Sequence, residues 1–95
     1  FTRTRGFRHV SIGEAQRFFA TLPAAEGIRA AITEDPSYFN DEFLARFEVI
    51  AFVNTTADVL DAEQQAAMER FIRSGRGYVG VHSAADTEYD WPWYG

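Results

Sequence analysis

The stretch VIAFVNTTADVLDAEQQAAMERFIRSGRGYVGVH, Val49 to His82, decides the fold. It opens on a continuous apolar run, Val49 to Asn54, with no polar alternation. Such a run suits a strand covered on both faces, as in a parallel sheet between helices. It closes on a second run of this kind, Tyr78 to His82. Gly80 inside that run implies a close neighbour to the backbone. Between the runs, Asp61 is placed to cap a helix whose apolar stripe is Ala67, Met68, Phe71 and Ile72. Arg73 falls near the end of that helix, where a cation suits its dipole, and Gly75 takes the position after it. Strand, helix and strand at this spacing make a right-handed crossover between parallel strands.

Upstream, the pattern repeats. FTRTRGFRH, residues 1–9, is polar and broken by Gly6, and reads as a loop. Ser11 and Glu14 have capping-box spacing. Ile12, Ala15, Phe18, Phe19 and Leu22 predict a helix over 12–22, with Pro23 ending it. Gly27 then releases the chain into a short strand, Ile28 to Thr33. Pro36 is placed to begin a helical turn, and Asn40 to cap a short helix over Asp41–Arg46. The order loop–α–β–α–β–α–β–loop predicts an α/β domain: a parallel sheet of three strands with helices on both faces. That sheet is thin, and both ends of the chain read as cut. The 95 residues are therefore expected to be a partial domain, lacking a first strand and a C-terminal half.

Composition narrows the function. The net charge is −5 and the basic residues near the start, Arg3, Arg5 and Arg8, are scattered. A nucleic-acid surface needs clustered cations, so none is expected. No apolar run reaches the length of a membrane span. There is no cysteine, hence no disulfide, thiolate nucleophile or cysteine zinc site. No glycine-rich phosphate loop stands between a strand and a helix.

Ligands of open parallel sheets sit beyond the carboxyl ends of the strands. That rule selects Arg5, Arg8 and His9 in the first loop. It selects Asn54, Thr55, Thr56 and Asp58 after the first apolar run, and His82, Ser83, Asp86 and Glu88 after the second. Both histidines of the chain thus fall on one edge. An imidazole titrates near neutrality and suits acid/base work; equally, His82 is a polar residue that ends a strand. Asp86 is placed to orient an imidazole or to cap a turn. Trp91 and Trp93 offer a stacking wall for a sugar ring, or form the first turn of a buried helix with Pro92. Two histidines and a carboxylate suit a divalent ion, but they come from distant loops without diagnostic spacing. No cofactor or metal is therefore expected, with a divalent metal left as the open alternative.

Three segments carry a family resemblance: GFRHVSI, TEDPSYF, and VNTTADVLDAEQQAAMERFIRSGRGYVGVHSAADTEYDWPWYG to the end. They resemble the ThuA-like, trehalose-utilisation family over nearly the whole chain. The resemblance implies a flavodoxin-like, class I glutamine amidotransferase-like fold, a three-layer α/β/α sandwich that is incomplete here. In the amidotransferases a nucleophilic cysteine stands on a sharp turn after a strand. The corresponding stretch here is Gly80-Val81-His82-Ser83-Ala84, with histidine in place of the thiol. Thioester glutaminase chemistry is excluded.

The resemblance also implies a small-molecule sugar ligand of the trehalose type, in particular a 3-keto sugar. His82, His9 and Asp86 become the catalytic candidates. Asn54, Thr55, Ser83, Glu88, Trp91 and Trp93 become the substrate-binding ones. The competing expectation is a carbohydrate-binding or regulatory module with a retired site. Homo-oligomerisation and fusion to other domains are both open.

Overall fold

The computed structural model describes the backbone of residues 1–95 and the side chains of 1–21 and 27–95. Helix α1 spans Ile12–Glu26, α2 Asp41–Leu44 and α3 Ala62–Arg73; strands β1 and β2 span Val49–Val53 and Gly77–Val81. Single 3-10 turns cover Pro36–Tyr38 and His82–Asp86. The chain is α/β, with a small parallel sheet consistent with an incomplete flavodoxin-like fold. Strands β1 and β2 pair in parallel, Val49 opposite Gly77 through Val53 opposite Val81. They end at the same level, so the residues that follow them, Asn54 and His82, emerge side by side.

The crossover forms as its sequence dictates. Asp61 and Gln64 make a reciprocal capping box at the start of α3. Gly75, at φ 97°, leaves the helix in the left-handed region. Ala67, Met68 and Phe71 are buried against Ile50 and Phe52 of β1. Phe52 is wholly buried. Its ring lies 5.1–5.8 Å from those of Phe1, Phe39, Tyr78 and Tyr94. Aromatic contacts of this kind add stabilisation beyond buried area. Asn40 caps α2 through Phe43 N–H. Arg76 donates to the carbonyls of Leu44 and Phe47, closing the far end of that turn. Asp41 and Arg70 form a two-bond ion pair that ties α2 to α3.

Several sequence expectations need correction. Helix α1 does not stop at Pro23; it runs to Glu26 and ends at Gly27, φ 69°. The side chains of Leu22 and Pro23 lie outside the described residues. The capping box of Ser11 and Glu14 does not form. Ser11 Oγ accepts from the Asn54 amide, and Glu14 pairs with Arg17 instead. The short helix over 41–46 is regular only to Leu44; Arg46 N–H then bonds Phe43 O in a tighter turn.

The strand expected over Ile28–Thr33 is absent. Residues 28–32 are exposed, and Thr33, half-buried, accepts one backbone bond at its carbonyl, from Thr2 N–H at 3.1 Å. The reason is lateral. Residues 1–4, expected as loop, lie beside β1 and take its edge. The Phe1 amine donates to Ala51 O, Val53 N–H donates to Phe1 O, and Thr4 bridges Thr56. A ladder needs a strand within reach, and residues 28–33 have only Thr2. The sheet therefore has two strands rather than three. Nor is β2 buried on both faces: Tyr78, Val79 and Val81 are exposed, whereas Ile50, Phe52 and Val53 of β1 are buried.

Candidate functional site

The site is built where β1 and β2 end. Four non-glycine residues have left-handed backbones: Asn54 (φ 56°), Ala57 (60°), His82 (53°) and Glu88 (57°). All four lie in the two loops that leave these strands. Such conformations persist only where surrounding structure enforces them, and they gather at functional sites. His82 is the first residue after β2. Its left-handed turn throws the chain straight into the 3-10 turn His82–Asp86. Gly80 makes room for that turn: a Cβ there would meet Ala84 Cβ at 3.3 Å and Tyr78 Oη at 3.1 Å.

The two histidines meet. The rings of His9 and His82 are edge to face, with centroids 4.5 Å apart. His9 is half-buried and also packs edge to face with Phe7, at 4.9 Å. His82 is exposed. One surface of His82 looks into an open cleft of ≈ 590 Å³, lined also by Tyr78, Gly80, Ala84, Trp91 and Tyr94. His9 is not among the lining residues.

The other candidates divide into buried and exposed. Asn54 is buried; its N–H donates to Val81 O at 3.2 Å and its amide to Ser11 Oγ at 3.0 Å. Thr55 is fully buried, its hydroxyl 2.9 Å from that of Thr87. Thr87 Oγ1 donates to Ser83 O, so Thr55 is the donor of the pair. Ser83 Oγ is buried and has no hydrogen-bond partner among the described residues. Glu88 lines part of the cleft, yet its carboxylate is taken up inside the protein. Val59 and Leu60 N–H donate to Oε1 and the Gln65 amide to Oε2, each at 2.7 Å. Asp86 is exposed, and its carboxylate makes no hydrogen bond to either imidazole among the described residues. Its backbone carbonyl accepts from Ala57 N–H at 2.9 Å, joining the two loops.

Trp91 and Trp93 stack on each other, centroids 5.0 Å apart, in a single turn rather than a helix. Trp91 also stacks on Tyr94 and packs on the core. The Arg73 guanidinium lies 6.0 Å from the Trp93 ring. Of the two, Trp91 lines the cleft and Trp93 does not.

Two cleft residues carried no sequence signal, Tyr78 and Tyr94. The Tyr94 hydroxyl donates to Ala84 O at 2.8 Å and accepts from that of Tyr78. Burial is the main cause that raises both phenols above the ordinary tyrosine range. The hint was indirect: Gly80 announced a close neighbour without naming it.

The arrangement offers two facing imidazoles beside an aromatic cleft. Among the described residues no group of three or more His, Cys, Asp or Glu converges on a point. The histidines alone supply at most two of the four ligands of a structural zinc. Among the described residues no helix is long and apolar enough to cross a membrane. Searches of curated proteins and of solved structures return no match to this chain. A family model described as trehalose utilisation matches residues 1–95, from the His9 loop through the His82 turn to the tryptophans. The chain belongs to the ThuA family.

Proposed function

We propose that this domain acts on a sugar of trehalose or related disaccharide metabolism, with a 3-keto derivative as substrate, by proton transfer through His82 and His9. One observation carries the reading. The only two histidines, from loops far apart in sequence, face each other at 4.5 Å on the carboxyl edge of the sheet. A carbonyl beside a C–H bond needs a group that removes one proton and a group that returns one. An imidazole can take up or give back a proton, and two of them suit that exchange. The cleft beside His82, with Trp91, Tyr78 and Tyr94, supplies apolar and hydroxyl surface for a sugar ring. Asp86, exposed on the same turn, is the nearest chain neighbour able to orient His82 or to take a substrate hydroxyl.

The test is turnover of 3-keto-disaccharides by the protein and its His82→Asn variant. Asparagine tolerates the left-handed backbone at this position, so the fold is kept. Loss of general acid/base catalysis is expected to slow turnover on the order of 10²–10⁴-fold. Unchanged turnover would sink the assignment. Chelator treatment of the same protein separates proton transfer by the imidazoles from a divalent ion held between them.

The stacked pair Trp91–Trp93 favours a second reading, a sugar-binding module without catalysis. Tryptophan fluorescence is then expected to saturate with trehalose or its keto derivative while no product forms.

A further inference from the structure

Asn54 ties together the two loops that carry the histidines, and we infer that it is the positioning residue that sets the His9–His82 pair rather than a substrate contact. The inference rests on the reading of that pair as the working groups. Three observations support it.

First, Asn54 is 5% exposed, so little of it is available to a ligand. It does not line the cleft beside His82. Second, its two donors reach the last residue of β2, directly before His82, and the turn that follows His9. The backbone N–H bonds the carbonyl of Val81, the residue before His82. The side-chain amide bonds Ser11 Oγ, two residues after His9. The short turn between is itself closed, with Ile12 N–H on His9 O at 3.2 Å. Third, the reach depends on the left-handed backbone of Asn54, φ 56°. Asparagine is among the few residues that enter this region readily. In an extended strand conformation, side chain and N–H would not be presented together to two loops. Ser11 is thereby drawn away from capping α1. A hydroxyl that would have satisfied the helix instead fixes the His9 loop.

The experiment uses the full chain with Asn54→Gly, Ser11→Ala and Asn54→Asp. Glycine keeps the left-handed backbone and removes the amide. Ser11→Ala removes the same hydrogen bond from its exposed end. Aspartate keeps the backbone and accepts a bond donated by the Ser11 hydroxyl. The readout is the NMR cross-relaxation peak between the ring protons of His9 and His82, with the dispersed amide spectrum as the record of folding.

The peak is expected in the unsubstituted chain and in Asn54→Asp. It is expected to vanish in Asn54→Gly and in Ser11→Ala while both remain folded. If Asn54→Gly fails to fold, Ser11→Ala decides alone. A peak of undiminished intensity in folded Ser11→Ala would overturn the inference, because the loops would then hold themselves. Turnover does not enter this measurement, so a failure of the positioning role and a failure of the proposed activity are told apart.

Discussion

The carboxylate of Glu88 accepts from the backbone N–H of Val59 at 2.7 Å in the protein interior. It thereby joins the loop after β2 to the loop after β1, where Leu60 N–H and the Gln65 amide share the same carboxylate. Glu88 was one of the substrate-binding candidates, and its position makes it a brace between the two loops. Removing it leaves three donors without a partner, at roughly 1–3 kcal/mol for each buried group. Glu88→Ala is therefore expected to destabilise the domain by about 3 kcal/mol or more, measured by urea unfolding. Glu88→Gln keeps an acceptor for the two backbone groups and is expected to cost less than half as much.

Gly80 sits where the 3-10 turn folds back on β2. An added methyl at Gly80 presses on Ala84 Cβ and on the Tyr78 hydroxyl. Gly80→Ala is expected to cost about 1–3 kcal/mol, the usual range for overpacking. The nearer of the two contacts is a hydroxyl oxygen. Adding Tyr78→Phe is therefore expected to recover part of that loss, although the phenol's bond to Tyr94 goes with it. Thermal unfolding of the two single variants and the double variant gives the coupling.

Tyr78 and Tyr94 are raised above the ordinary phenol range, chiefly by burial. Their neutral forms are favoured by the fold. The stability they contribute is complete below about pH 10, where the unfolded phenols are still protonated, and falls as pH rises further. Ultraviolet titration is expected to show the phenolate signal of this pair appearing together with loss of structure. Tyr94→Phe removes the bond to Ala84 O and is expected to cost about 1 kcal/mol.

Much of the middle of the chain was legible in its sequence. Asp61, Gln64 and Gly75 define α3 by local chemistry, and a cap or a left-handed glycine works wherever it stands. The apolar runs located β1 and β2 because continuous hydrophobicity at strand length has few other uses. Gly80 marked a close approach correctly.

Two of the departures were contests between a local signal and a distant partner. Ser11 has capping-box spacing, but Asn54 reaches its hydroxyl first. Residues 28–33 have strand composition, but a strand exists only beside another, and residues 1–4 occupy the edge of β1. Thr55 and Glu88 have the chemistry of a binding site. Whether a side chain turns outward depends on what waits inside, and Thr87, Val59 and Leu60 are there to bond them.

The sequence by itself determined the crossover and the edge on which both histidines lie, because these follow from residue type, spacing and chain order. Only the tertiary structure decided that His9 and His82 touch and that Asn54 joins their loops. It also decided that Glu88 faces inward. Those facts depend on hydrogen bonds between segments that the chain brings together only on folding.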